Sequence, residues 1–470
     1  MIMAEVKDAV IIGAGSAGLA VAVGLRKQGA RNIVVLERED EPGGILRQCI
    51  HDGFGLIRFG EKLSGPEYAD RFIAEAAALG VDIQTRASVI GLTRDKRVTA
   101  VTRQGLKEYQ AKAVILAMGC RERTRGALGI PGVRAAGIYT AGVVQAFVNL
   151  RNLMPARNAV ILGSGDVGLI VARRLTLEGC KVSAVIEKLP YPSGLPRNVQ
   201  QCLRDFDIPL YLSHTVTDIK GDARIQSVEV SALDDEGIPV PGSAKEFPCD
   251  TLVLSVGLIP ENELSRMADI ELDPCTGGPL VDEFYQTSQE GIFAAGNVLH
   301  IHDLVDHVSV EGEKLALAAA EYIHAGKLPA CPIRLEPGAG VSSVVPQWIS
   351  GDRDVDLDIR VSVPAMDKRL TLRQGGEALK SVSYRKVNPP ETIRVRLESN
   401  EINARVSRDQ ATRDQGIRDK ETREQRTRDQ AIRVVASGDQ GNPGDPDNPG
   451  DQDNPGNPGA DINIQVMIEE

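Results

Sequence analysis

Two glycine signatures of identical spacing, Gly13-Ala14-Gly15-Ser16-Ala17-Gly18 and Gly163-Ser164-Gly165-Asp166-Val167-Gly168, constrain this chain more than any other feature. Each follows a short apolar run, 8–12 and 158–162, of the kind that makes a buried parallel strand. Each precedes a helical pattern that stops at a glycine, 16–28 at Gly29 and 166–178 at Gly179. A second apolar run follows in both cases, at 32–36 and 181–186. Two such βαβ units imply two doubly wound α/β domains with parallel sheets.

The three glycines of each signature have separate physical duties. Gly13 permits the tight turn off the strand, Gly15 lets the backbone approach a pyrophosphate, and Gly18 lets the helix pack against the strand. The helix start at Ser16 and Ala17 then offers N–H groups and partial positive charge to phosphate. Glu37 and Glu187 each lie 24 residues after the first glycine of their unit, where a carboxylate accepts hydrogen bonds from a ribose diol. An acid there repels a 2′-phosphate, so Glu187 favours NAD over NADP, a preference that Lys188 softens. Two nucleotide sites in one chain imply one for a flavin and one for a nicotinamide.

Texture changes after Pro332. Val355, Leu357, Ile359, Val361 and Val363 alternate with polar residues, as do Ile393, Val395 and Leu397, which predicts a small antiparallel β domain at 336–400. Arginine recurs every five residues from Arg408 to Arg433, and Asn-Pro-Gly recurs at 442, 448, 454 and 457. The segment 401–470 is therefore expected to be a disordered low-complexity tail. Eight acids and no base follow Ala436, and they account for most of the net charge of −11. An acidic chain with a nearly balanced body is not a general nucleic-acid binder. Seven irregularly spaced cysteines without CxxC exclude a disulfide framework and fit a cytoplasmic enzyme. The apolar stretch 9–25 is glycine-rich and shorter than the ~20 residues of a membrane span, so no integral membrane segment is expected.

Together with the first signature, the segments VILAMG (114–119) and TSQEGIFAAGN (287–297) resemble the fingerprints of the two-dinucleotide-binding flavoproteins, the pyridine nucleotide–disulfide oxidoreductase superfamily. The resemblance covers about 6–325. It implies two Rossmann-like domains, with an NAD domain at 153–283 inserted into an FAD domain made of 1–152 and 284–332. It also implies FAD contacts at Gly13, Gly15, Ser16, Ala17, Gly18, Glu37, Arg38, Gly44, Ala117, Gly119, Gly296 and Asn297. NAD(H) contacts are implied at Gly163, Gly165, Asp166, Val167, Gly168, Glu187 and Gly257. The family's last fingerprint usually ends in Gly-Asp, but here Asn297 stands in place of the carboxylate. A helix at about 308–323 is implied to present its positive end to the flavin.

A narrower resemblance is carried by GGILRQCIHDGFG (43–55), AMGCRERTRG (117–126) and GNVLHIHDLVDHV (296–308). These look like the FAD subunits associated with anaerobic glycerol-3-phosphate dehydrogenases, and like subunits of opine and amine dehydrogenases and of hydrogen cyanide synthase. That branch implies electron transfer between NAD(H) and a partner dehydrogenase subunit, with a homo-oligomer as the other assembly. Two rivals stand beside it: a non-catalytic electron-transfer or assembly subunit, and a single-cysteine NADH oxidase or peroxidase using Cys49. A metal at His300, His302, Asp303, Asp306 and His307 is weighed against packing beside the flavin, and packing is favoured.

Overall fold

The computed structural model describes residues 3–402 and 462–469. The first βαβ unit becomes β1 (Glu5–Ile12), α1 (Ser16–Lys27) and β2 (Ile33–Leu36). β1 lies inside a seven-stranded sheet, in parallel with β2 on one side and with Gly105–Leu116 on the other. β2 continues in parallel to Asp82–Gln84. The end of Gly105–Leu116 also pairs in parallel with Ile292–Ala294, a strand that returns from far along the chain. Its beginning folds antiparallel onto Arg97–Thr102. The centre of this sheet is covered on both faces, which is why the second half of β1, Ala9–Ile12, and β2 are apolar without alternation. α1 packs on the long helix Val305–Ala325. Gly24 makes this crossing close: a Cβ there would lie 2.5 Å from the Ala316 Cβ.

The second βαβ unit founds a five-stranded, wholly parallel sheet. Its order is Ile138–Thr140, Thr251–Leu254, Asn158–Leu162, Lys181–Ile186, Leu210–Tyr211. A three-stranded antiparallel sheet from His214 to Pro248 packs on one face through Val216, Ile219, Val228 and Val230. The second domain is inserted in the first, but both expected boundaries move. The chain crosses between domains on two short antiparallel strands, Cys120–Glu122 and Leu258–Pro260. Ile138–Thr140 and the helix Ala141–Arg151 already belong to the second domain, where Ala141 and Val144 are core. Ala268, Ile270 and Val281 already belong to the first. The boundaries 153 and 283 fail because these three-residue strands carry no periodicity; their place is set by long-range pairing.

The β domain begins at Ile333 and is a two-sheet sandwich around one core. The three-stranded sheet contains both alternating runs, as Val355–Val361 and Ile393–Leu397. The five-stranded sheet contains Ile462–Glu469, which corrects the assignment of 401–470 to a tail. This strand runs parallel to Ile333–Pro337 and antiparallel to Ala365–Gln374, so it is internal to the sheet. Ile464 and Val466 are buried while Asn463 and Gln465 are exposed. That is a half-buried strand pattern, hidden at sequence level by the polar repeats before it. The arginine repeat and the Asn-Pro-Gly repeat lie outside the described residues. No helix among the described residues is long and apolar enough to cross a membrane.

Ile464→Ala should therefore destabilise the β domain by about 2–4 kcal/mol, as for other buried large-to-small changes. Asn463→Ala should stay within about 0.5 kcal/mol of the parent, as an exposed site does. Denaturant unfolding compares them, and equal midpoints for the two variants would place Ile462–Glu469 outside the fold.

Candidate functional site

The first glycine turn has the geometry its spacing predicts. Gly13 has φ +103°, and a Cβ there would overlap the Ala117 carbonyl oxygen. Gly18 is equally close to the Gly13 carbonyl. Gly15 differs: its φ is −79° and a Cβ would meet nothing within 4 Å. Its lack of a side chain is thus not required by the chain itself. It faces open space at the start of α1, whose N-cap makes no side-chain hydrogen bond and whose first turn holds no acid. Ser16, Ala17 and Gly18 begin the helix at this open end. Gly44 closes one side, with its would-be Cβ 3.1 Å from the Gly15 Cα, while the Gly43 N–H donates to the Ala14 carbonyl at 2.8 Å.

Glu37 is buried beside this turn. Its carboxylate accepts from the Ala14 N–H at 2.8 Å and the Glu39 N–H at 2.9 Å. An ionised carboxylate has about four lone-pair positions, so about two remain for a ribose diol. Arg38 is exposed and pairs with Glu39. Ala117 and Gly119 line the turn's far side, with Gly119 at φ +73° and open. Gly296 packs against Ala17, and its N–H donates to Glu311 Oε1 at 2.6 Å. Asn297 is turned to its own chain, accepting from the His302 N–H at 3.0 Å and donating to the Cys120 sulfur at 3.6 Å.

The second turn repeats the backbone, and a Cβ at Gly165, where φ is −63°, would meet only the Ser193 hydroxyl, at 4.0 Å. Gly163 has φ +103° and abuts the Ser255 carbonyl, Gly168 abuts Gly163, and Val167 is exposed. Glu187 accepts from the Ser164 N–H at 3.0 Å, the Ser164 hydroxyl at 2.6 Å, the Ser193 hydroxyl at 2.8 Å and the Leu189 N–H at 3.0 Å. Three of those donors crowd Oε2, whereas Oε1 accepts only from Leu189 and keeps one lone pair. Asp166, in the first turn of its helix, accepts from the Leu195 N–H at 2.9 Å and the Asn198 amide at 2.6 Å. The loop from Leu189 to Leu195 is thereby laid over the glycine turn. Gly257 has φ +99° at the crossing strand, where its carbonyl accepts from the Arg123 N–H at 3.1 Å.

Cys49 lies where the two domains meet. Its neighbour Gln48 donates to the Gly142 carbonyl at 2.9 Å and to Gln145 at 3.1 Å, and Asn149 donates to the Gln48 carbonyl at 2.8 Å. The Cys49 thiol donates to the Ile45 carbonyl at 3.3 Å, and burial pushes its pKa up to about 12. A redox cysteine reacts as thiolate and needs the opposite shift, so this environment works against a catalytic Cys49.

The histidine segment divides in two. Asp306 caps the loop between the paired strands Asp52–Phe54 and Leu63–Ser64 by accepting from the N–H groups of Gly55, Ile57 and Arg58 at 2.8–3.2 Å. The helix starts at Val305, earlier than expected, and this buried carboxylate in its first turn offsets the positive end expected to face the flavin. Asp303 accepts from Arg360 and Thr392, tying the first domain to the β sandwich. His300 and His302 instead converge on Glu311 and on Asp358 from the sandwich. Burial opposes charge throughout this cluster. It lowers His300, whereas Glu311 outweighs it and raises His302, and the two imidazoles hold Glu311 well below the usual carboxylate range. Asp358 was missed at sequence level because it occupies a polar position of an alternating strand, the side expected to face water.

Two dinucleotide folds, one inserted in the other, with an open glycine turn beside a buried acid, define the architecture of a two-dinucleotide-binding flavoprotein. Residues 7–320 match the family model for pyridine nucleotide-disulphide oxidoreductases, and the chain belongs to that family. Its members use FAD and NAD(P)H. The chain is 28% identical over 340 residues to a subunit of opine oxidase from Agrobacterium tumefaciens, covering 67% of this chain and 66% of that protein. It is 25% identical over 324 residues to the HcnB subunit of hydrogen cyanide synthase from Pseudomonas aeruginosa, covering 66% of this chain and 68% of that one. The crystal structure of T. acidophilum thioredoxin reductase shares the fold, with a TM-score of 0.56 at 24% identity, covering 67% of this chain and 98% of that chain.

Maleimide labelling at mildly alkaline pH, mapped by mass spectrometry, should modify exposed Cys275 well before Cys49. Cys49→Ser should leave any peroxide turnover unchanged. Preferential labelling of Cys49, or loss of peroxide turnover in the serine variant, would restore a redox role.

Proposed function

We propose that this FAD-dependent oxidoreductase is one component of a larger enzyme, passing hydride and electrons between NAD(H) and a partner dehydrogenase subunit or a small acceptor, with glycerol-3-phosphate oxidation as its setting. The observation that carries the flavin half is the vacancy at Gly15 beside a Glu37 carboxylate with lone pairs to spare. A pyrophosphate fits against the free N–H groups of α1, and Glu37 takes the ribose. When bound, FAD supplies a two-electron acceptor and donor; the protein's part is to orient it and exclude water. Assignment to a multi-component enzyme is supported by the names of the relatives, which are subunits of opine oxidase and of hydrogen cyanide synthase. Thiol–disulfide chemistry of the kind named for the structural neighbour is not proposed, because the sequence holds no CxxC. A cytoplasmic location is in keeping with seven free cysteines.

A second reading is favoured by Glu187, whose donors come from Ser164, Ser193 and Leu189. In that reading the second domain keeps its fold but does not take NADH unaided, and the chain is an electron-transfer component whose substrate chemistry sits on a partner. The acid still disfavours a 2′-phosphate, so NAD is preferred to NADP if the loop opens.

Gly15→Ala separates fold from cofactor, because its backbone angle and surroundings accept a methyl group when no pyrophosphate is present. The variant should fold with an unchanged circular dichroism spectrum and lose at least about tenfold in FAD affinity, about 1.4 kcal/mol. Undiminished flavin content would sink the site assignment. Gly165→Ala should keep its flavin and slow its anaerobic bleaching by NADH. If NADH does not bleach the parent protein's flavin until a partner is added, the electron-transfer reading replaces the first.

A further inference from the structure

We propose that His300, His302, Glu311 and Asp358 form a closed, four-coordinate site for a transition-metal dication of the zinc class, joining the FAD domain to the β sandwich. The four candidate ligand atoms lie within 4.8 Å of one another. His300 Nε2 is 3.3 Å from Glu311 Oε2 and 3.7 Å from Asp358 Oδ2, and His302 Nε2 is 3.3 Å from the same Glu311 oxygen. A tetrahedral site with bonds of about 2.0–2.2 Å has ligand–ligand edges of about 3.3–3.6 Å. Three of the six separations are close to such edges and none exceeds 4.8 Å, so side-chain movements of about 1 Å close the shell.

An independent observation points to a ligand. His302 Nε2 is buried, its side chain only 2% exposed, and it makes no hydrogen bond despite its nearness to Glu311. The other nitrogen, Nδ1, faces the His300 carbonyl oxygen at 3.0 Å. A proton on Nδ1 gives that contact a donor and leaves the Nε2 lone pair aimed at the cluster. Holding one ring nitrogen on a carbonyl is the usual way a metal-binding imidazole is oriented. Glu311 is held in the same fashion, its second oxygen accepting from the Gly296 N–H at 2.6 Å. Asp358 is fixed from the far side by Arg394, which donates to its two oxygens at 2.6 and 3.0 Å. Each oxygen accepts one of these bonds and keeps a lone pair.

The donor set selects the ion. Two imidazoles and two carboxylates suit Zn²⁺, Fe²⁺ or Mn²⁺ better than Ca²⁺ or Mg²⁺, which prefer all-oxygen shells. With all four side chains largely buried, no position is left open for substrate, so the role is structural. Asp358 comes from strand Val355–Val361, whereas the others flank the last flavin fingerprint. The ion therefore fixes the sandwich against the segment that carries Gly296, and this holds whether or not the flavin assignment does.

The test uses the full chain and Zn²⁺ as probe. Elemental analysis of protein prepared without chelator should give about one dication per chain, the stoichiometry of a single closed site. Chelation should lower the thermal midpoint, and Zn²⁺ should restore it. Co²⁺ substituted for the ion should give the intense visible bands of a tetrahedral N₂O₂ site. His302→Gln should weaken Zn²⁺ affinity at least about tenfold, and Asp358→Asn supplies the same measurement if the first variant does not fold. Absence of metal together with no Zn²⁺-induced midpoint shift and no Co²⁺ bands would overturn the proposal and leave a protonated imidazole–carboxylate pair. Equal Zn²⁺ affinity in the parent and a folded variant would overturn it too.

Discussion

Backbone-to-backbone contact at two glycines is the constraint from which the architecture follows. Gly13 sits against the Ala117 carbonyl and Gly163 against the Ser255 carbonyl, at distances no side chain tolerates. Each contact forces the strand, the turn and the following helix into one geometry. In the first domain α1 then lies close enough to Val305–Ala325 for Gly24 to touch Ala316 and for Gly312 to meet the Ala17 carbonyl. This crossing brings Gly296 to Ala17 and hands its N–H to Glu311. The first glycine turn, the segment 287–297 and the buried histidines are therefore one packed unit.

The two dinucleotide folds have parted in chemistry while sharing a backbone. Glu37 accepts two backbone hydrogen bonds, whereas Glu187 accepts four, from Ser164, Ser193 and Leu189. An identical spacing of glycines and acid thus yields one open site and one covered by its own loop. The difference lies in two serine hydroxyls, of Ser164 and Ser193, that donate to Glu187 and have no counterpart at Glu37. Cys49 belongs to the same theme. Gln48, Gln145 and Asn149 bind its segment to the second domain, so the thiol is part of a domain contact and burial holds it protonated.

The β sandwich is more than an appendage. Asp303 reaches Arg360 and Thr392, Lys314 pairs with Asp356, and Asp358 enters the histidine cluster. These polar residues of an alternating strand face another domain instead of water. A half-buried strand has one apolar face for its own core, and here the other face is also covered.

The sequence by itself determined what is local and periodic: both βαβ units, the close backbone contacts at Gly13 and Gly18, the placement of Glu37 and Glu187 beside their turns, and the alternating strands of the sandwich. It reached those because strand, turn and helix preferences act over a few residues. It missed Ile138–Thr140 as the true edge of the second sheet and Ile462–Glu469 as an internal strand of the sandwich. It also missed Asp358 as a partner of His300, His302 and Glu311. Each is a short segment or single side chain whose role depends on residues far away in the chain. Only the tertiary structure decided whether a carboxylate finds backbone N–H groups, a serine or a pair of imidazoles, because hydrogen-bond partners are set by which backbones pack together and not by spacing along one of them.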